Sequence, residues 1–332
     1  MSRKAIACIL PCLIVGGVVS GFGQGVRGRG EAPNTENDRS REYIESARTL
    51  AGGDVTAPFN FYCVAGTARG TAADAPELEP VKLFDNLYAA GNSETTVHAI
   101  TTSEGIILID SGHADKVENV LVPGLMALGL DPADVKYILL GHGHADHYGG
   151  AAFFQESYGT RVGLGEEDWD LIEASAANSD PDAPTPPARD MVIVDGEAIT
   201  LGDTTVIPVS IPGHTPGSMA YIFPVRDGPT TRMAGMFAGT MLSSFLRSTT
   251  PGIEQYIDSI GRYLAVAERM NVEVEVQNHP LFDDTPARLE RLKNRKAGVS
   301  HPFVMGNDGY IRFWQVISEC MQAEIARRDD KE

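Results

Sequence analysis

The stretch Leu139–Gly150, LLGHGHADHYGG, decides the reading of this chain. It sets His142, His144, Asp146 and His147 within six positions, at the end of the apolar run VKYILL, Val135–Leu140. The chain has eight histidines in 332 residues, so three beside one carboxylate need a reason. Imidazole and carboxylate together are the donors that Zn²⁺ takes, and they also suit iron or manganese. A buried strand end is a rigid base, and the loop after it can aim alternate side chains into one cavity. Four donors in six residues exceed what one tetrahedral ion with an open position takes from one loop, so the spacing predicts two ions. The missing donors should then be isolated histidines at other strand ends. His214 in SIPGHTPGS and His279 in VEVQNHP fit, since both follow strand-like runs and lie beside Gly or Pro. His98, His113 and His301 lack such surroundings and are read as surface or supporting residues.

Working outward, VKLFDNLYAAG and VHAITTSEGIILIDSG read as short strands with tight turns. KVENVLVPGLMALGL has the three-and-four apolar spacing of a helix, and YGGAAFFQESYG is a helix closed by Gly159. RVGLGEED is a strand that runs into the helix EEDWDLIEASAA, and NSDPDAPTPPARD is a surface loop. The second half repeats the plan: strands through MVIVDGEAITLGDTTVIPVSIPGH, MAYIFPV and MAGMFAG, the helix GIEQYIDSIGRYLAVAERM, the strand VEVEVQNH, and helices over TPARLERLKNRKAG and from Asn307 onward. Strands alternating with helices predict an α/β protein, and two such halves an αββα sandwich of two mixed sheets covered by helices.

The N-terminus is a separate object. Arg3 and Lys4 precede the apolar stretch AIACILPCLIVGGVVSG, so residues 1–23 are read as an export signal, the alternative being a retained anchor. Residues 24–79 are expected to be a polar linker and extension with one short helix, REYIESARTLAG, and residues 80–332 to be the folded domain. Of four cysteines, Cys8 and Cys12 lie in the signal. Cys63 and Cys320 either pair, tying the N-terminal segment to the last helix, or remain two buried thiols. The formal net charge of −18 argues against nucleic acid or anionic lipid as a partner and leaves a small molecule.

GHGHADHYGG, LIDSG, IPGHTPGS and NHP, in this order over roughly residues 80–325, resemble the metallo-β-lactamase fold superfamily. The resemblance implies a first zinc on His142, His144 and His214, a second on Asp146, His147 and His279, and Asp110 as the carboxylate behind the metal loop. Many hydrolases of that fold carry a bridging aspartate, and one β-lactamase subclass a cysteine, where this chain has Thr240 in MFAGTMLSS. The remaining ligand set resembles the cysteine-free, third subclass of dizinc β-lactamases. The expected activity is therefore an exported, periplasmic or secreted dizinc hydrolase that opens a cyclic amide with a metal-bound hydroxide, which Asp146 orients. Thr240, Ser243 and Ser244 are candidates for substrate contact, and Ser218 is read, like the other two serines, as structural or substrate-contacting. A lactonase or broad esterase of the same fold is the alternative enzyme, and a non-catalytic metal-binding protein the alternative of another class.

Overall fold

The computed structural model describes residues 36–64, 76–177, 184–241 and 248–329. The expected signal and the expected contact residues Ser243 and Ser244 lie outside them. Two helices precede the sheets, α1 (Asp38–Ala51) and α2 (Thr56–Phe59), the latter continued by a wide helical turn over Asn60–Val64. Later come α3 (Val122–Ala127), α4 (Ala145–Tyr148), α5 (Ala151–Tyr158), α6 (Glu166–Ala177), α7 (Thr250–Arg269), α8 (Thr285–Lys293) and α9 (Gly306–Asp329).

The first sheet places β1 (Val81–Phe84), β2 (Leu87–Gly91), β3 (Thr96–Thr102), β4 (Gly105–Ile109), β5 (Val135–Leu139), β6 (Arg161–Leu164) and β7 (Met191–Val192) side by side in chain order. Its first half is antiparallel, as hairpins allow, and from β4 onward it is parallel, as helical crossovers require. The second sheet has β8 (Ile199–Leu201), β9 (Thr204–Ser210), β10 (Met219–Asp227), β11 (Thr230–Phe237) and β12 (Val272–Glu275) in the order β12-β11-β10-β9-β8. Only the β11–β12 pair is parallel there. Both sheets are thus mixed.

Strand alternation divides the core into layers. In β4, Ile107 and Ile109 face the second sheet, while Ile106 and Leu108 face the helices with Phe154 and Trp169. In β10, Tyr221 and Phe223 enter the layer between the sheets, while Ala220 and Ile222 meet Tyr256, Trp314 and Ile317 from α7 and α9. Because helices cover the outer face of each sheet, β4 and β10 are apolar on both sides, as unbroken runs such as GIILI imply. The result is the αββα sandwich.

The segment expected to be a polar linker is structured over much of its length. Asn37 caps α1: its Oδ1 accepts from the Ser40 N–H at 2.7 Å, and the Ser40 hydroxyl accepts from the Asn37 N–H at 2.9 Å. Ala47, Ala51, Val55, Phe59 and Tyr62 recur at helical spacing and pack into the layer that holds α9. Cys63 and Cys320 are bonded, joining this segment to α9. Among the described residues, no helix is long and apolar enough to cross a membrane.

Candidate metal centre

The two sheets are tied together at one end, and that tie positions the centre. The Met219 N–H at the start of β10 donates to the Gly141 carbonyl at 2.8 Å, and the Tyr221 hydroxyl donates to the Leu140 carbonyl at 2.6 Å. The chain leaving β5 is therefore fastened to the opposite sheet just before His142. Any side chain at Gly141 would run into Ala238, so the close approach demands glycine there.

Two groups of three donors converge at this edge. His142, His144 and His214 form one, and Asp146, His147 and His279 the other, with the donor atoms of each group within 4.8 Å of one another. In the first, His214 Nε2 lies 3.1 Å from His142 Nε2 and 3.0 Å from His144 Nδ1. In the second, His147 Nε2 lies 3.0 Å from His279 Nε2 and 3.4 Å from Asp146 Oδ2. His142, His147 and His279 form a buried inner wall, whereas His144 is exposed and Asp146 and His214 are partly so. One side of the centre is therefore open to solvent.

The hydrogen bonds behind the rings fix what the front nitrogens present. His142 Nδ1–H donates to the Ala238 carbonyl at 2.8 Å, His147 Nδ1–H to Asp110 Oδ2 at 2.7 Å, and His279 Nδ1–H to the Glu94 carbonyl at 2.8 Å. Each outer bond leaves the Nε2 lone pair pointing inward. Nitrogens this close need a shared proton or a cation between them, since two bare lone pairs at these distances repel. Two imidazole nitrogens on one tetrahedral zinc stand about 3.3 Å apart, given Zn–N distances of about 2.0–2.1 Å. Separations of 3.0–3.1 Å are close to that, and the donor set fits a divalent ion in each group.

The titration behaviour points the same way. Burial, reinforced by the neighbouring imidazoles, lowers the pKa of His142 and His214, and burial with the influence of His147 holds His279 down at about 4. Burial also opposes a charge on His147, but the carboxylates of Asp146 and Asp110 outweigh it and raise His147 to about 10. Burial would raise Asp146, yet His147 above all holds it well below the usual carboxylate range. Two carboxylates in this recess thus demand positive charge, which a proton on His147 or a metal ion can meet.

Asp110 lies behind the histidine loop: Oδ1 accepts from the Gly141 N–H at 2.7 Å while Oδ2 accepts from His147. It does so at φ 63°, a left-handed backbone that non-glycine residues rarely adopt. Thr240, a candidate for substrate contact, is buried, with its hydroxyl 2.9 Å from the Phe237 carbonyl and 3.1 Å from Gln277 Oε1. Ser218 is buried and pairs with Thr215. His98 and His301 are buried rather than at the surface, His301 stacked on Phe84.

Two residues that carry the site have no motif in the sequence. Asp168, fully buried in α6, accepts from the Gly143 N–H at 2.7 Å, the Thr215 hydroxyl at 2.6 Å and the Gly217 N–H at 2.8 Å. It joins the loop of His142 and His144 to the loop of His214. Asn278 donates to Asp110 Oδ2 at 2.8 Å and to the Ala238 carbonyl at 3.0 Å, beneath His147 and His142. The signals available were an aspartate beside the buried Trp169 and an asparagine beside His279.

Comparison with known proteins agrees with this geometry. The metallo-β-lactamase superfamily profile matches residues 90–227. A hydroxyacylglutathione hydrolase of Pseudomonas syringae is 33% identical over 129 residues, covering 38% of this chain and 41% of that protein. The N-acyl homoserine lactonase AttM of Azorhizobium caulinodans is 28% identical over 174 residues, covering 48% of this chain and 64% of that protein. This chain thus spans less than two thirds of the length of either relative. BJP-1, a subclass B3 metallo-β-lactamase of Bradyrhizobium japonicum, superposes with a TM-score of 0.65 at 28% identity, covering 78% of this chain and 97% of that one. Residues 90–227 thus match the metallo-β-lactamase superfamily, and the chain shares the fold of a subclass B3 metallo-β-lactamase.

Proposed function

We propose that this protein is an exported dizinc hydrolase that opens a cyclic amide, a β-lactam first. The observation that carries the reading is the pair of three-donor groups at one open edge, with three imidazoles held by outer hydrogen bonds so that Nε2 faces inward. When bound, two zinc ions would supply Lewis acidity for a carbonyl and acidify water at neutral pH. His142, His144 and His214 would hold the first ion, and Asp146, His147 and His279 the second. Asp110 keeps His147 in the tautomer that binds metal, and Asp168 keeps the two loops of the first group in register. Asp146 brings negative charge to the open side and accepts from the Thr95 hydroxyl at 3.3 Å, which orients it. Thr240, in the place where related hydrolases bridge their metals, is occupied with internal hydrogen bonds, which supports a six-ligand set without a bridging side chain.

The bond between Cys63 and Cys320 supports export, because such bonds persist in oxidising compartments. A second reading, hydrolysis of a lactone or thioester, is favoured by the sequence relatives, named for a lactone and for hydroxyacylglutathione. Purified zinc-loaded protein assayed with nitrocefin, an N-acyl homoserine lactone and a hydroxyacylglutathione separates the two. Turnover of nitrocefin alone supports the first reading. Turnover of either ester with none of nitrocefin replaces it, and no turnover of any leaves a metal-binding protein.

A further inference from the structure

The loop after β2 brings another carboxylate to the centre. Asn92 shapes this loop, its Oδ1 accepting from the Glu94 N–H at 3.0 Å and the Thr95 N–H at 2.6 Å. The loop is also fixed to the second sheet, where the Thr96 N–H donates to the Asn278 carbonyl at 2.7 Å. Glu94 is buried at 2% exposure, and its carbonyl receives His279 Nδ1–H. His113 follows the turn that holds Asp110, and its Nε2 is a buried atom with no hydrogen-bond partner. Donor atoms of Glu94, His113 and Asp146 lie within 4.8 Å of one another.

We propose that Glu94, His113 and Asp146 form a third cation site, adjoining the second donor group and sharing Asp146 with it. This rests on the proposed two-ion reading through that shared residue. The three donors arrive from three separately fixed segments: the Asn92 loop, the turn after β4, and α4. Each segment is held by contacts of its own, so the convergence does not depend on the donors bonding one another. A carboxylate has two oxygens, so Asp146 can serve the second ion with one and the third with the other. One imidazole and two carboxylates suit a divalent ion of intermediate softness, such as zinc, cobalt or manganese. The unpartnered Nε2 of His113 supplies the nitrogen that distinguishes this set from a purely acidic cluster.

The test is titration of chelator-stripped full-length protein with Co²⁺, followed by visible absorption and elemental analysis, for the parent, Glu94→Gln and His113→Ala. His113 is only partly buried, so its variant reports even where Glu94→Gln fails to fold. The parent is expected to saturate at three equivalents and each variant at two, with the spectrum of the first two unchanged. A parent that saturates at two, or a His113→Ala variant that still takes three, overturns the site while leaving the two-ion reading intact. Saturation of the parent below two overturns the two-ion reading itself, and the third site with it.

Discussion

Replacing Asp168 by Asn should loosen the centre without touching a metal donor. The carboxylate accepts three hydrogen bonds, from Gly143, Thr215 and Gly217, and is fully buried. Asparagine keeps the shape but has one acceptor oxygen. If that oxygen stays on Gly143 and Thr215, the amide NH₂ faces the Gly217 N–H, and two donors meet where no water relieves them. A buried donor left unmet costs about 1–3 kcal/mol, and bonds to a charged group are worth about 1.5–3 kcal/mol each. Losing the charge assistance on two bonds and the whole of the third amounts to about 3–5 kcal/mol. With a urea m-value of about 3 kcal/mol/M, the unfolding midpoint should fall by about 1–1.7 M. Zinc content should drop by up to one equivalent, because Gly143 stands between His142 and His144 and Gly217 lies three residues after His214. Glu167→Gln, at the exposed neighbour, is the control and should change neither quantity. An Asp168→Asn protein with a midpoint within about 0.3 M of the parent and full zinc would show that this carboxylate does not hold the loops together.

Other expectations follow from single residues. Asp146→Asn removes the only charge among the six proposed ligands, so zinc in the second group should fall and turnover drop about a hundredfold or more; full zinc with unchanged turnover, measured on one sample, would sink that role. Burial lowers His98 to about 4, against a partial pull upward from Asp110, whereas the unfolded chain titrates near 6.5. The unfolded state therefore binds the extra proton first, and about 3 kcal/mol present above pH 6.5 should be lost as pH falls toward 4. His98→Gln should flatten that slope relative to the parent, and parallel profiles would refute the assignment. The Cys63–Cys320 bond spans a sequence separation of 257, and reducing it should cost about 2–5 kcal/mol of unfolding free energy, read from urea denaturation. Free thiols at both positions in unreduced peptide maps would end that account.

Much of the candidate site was legible because its histidines follow strand ends, and strand ends are local features. The unbroken apolar runs of β4 and β5 marked buried strands, and the histidines fell just beyond β5, β9 and β12. The supporting residues were not legible, because each acts across a long sequence separation. Asp168 sits in EEDWD, where an acidic helix start is an ordinary solvated feature, and only the opposite loops reveal that it points inward. Asn278 reaches Asp110 across 168 positions. Glu94 lies in a polar turn whose burial comes from neighbours contributed by other elements. The short helix of the N-terminal segment was legible, but its packing was not, for a different reason. Its mean composition is polar, but the few apolar residues, Val55, Phe59 and Tyr62, are spaced to share one face.

That face has a consequence for how the chain is made. The layer it completes is supplied by α9, which begins some 250 residues after α1 ends. At synthesis rates of about 5–20 residues per second, the earlier segment waits about 12–50 s before its partner exists. During that interval Phe59, Tyr62 and the Cys63 thiol have no lasting cover. The nascent chain therefore presents an apolar, oxidisable patch early, which is the kind of segment that a holding chaperone can occupy. Arrival of Trp314 and Cys320 is what retires it. Closure of the domain is in this sense terminal: the first of the described helices to be synthesised is among the last to be buried.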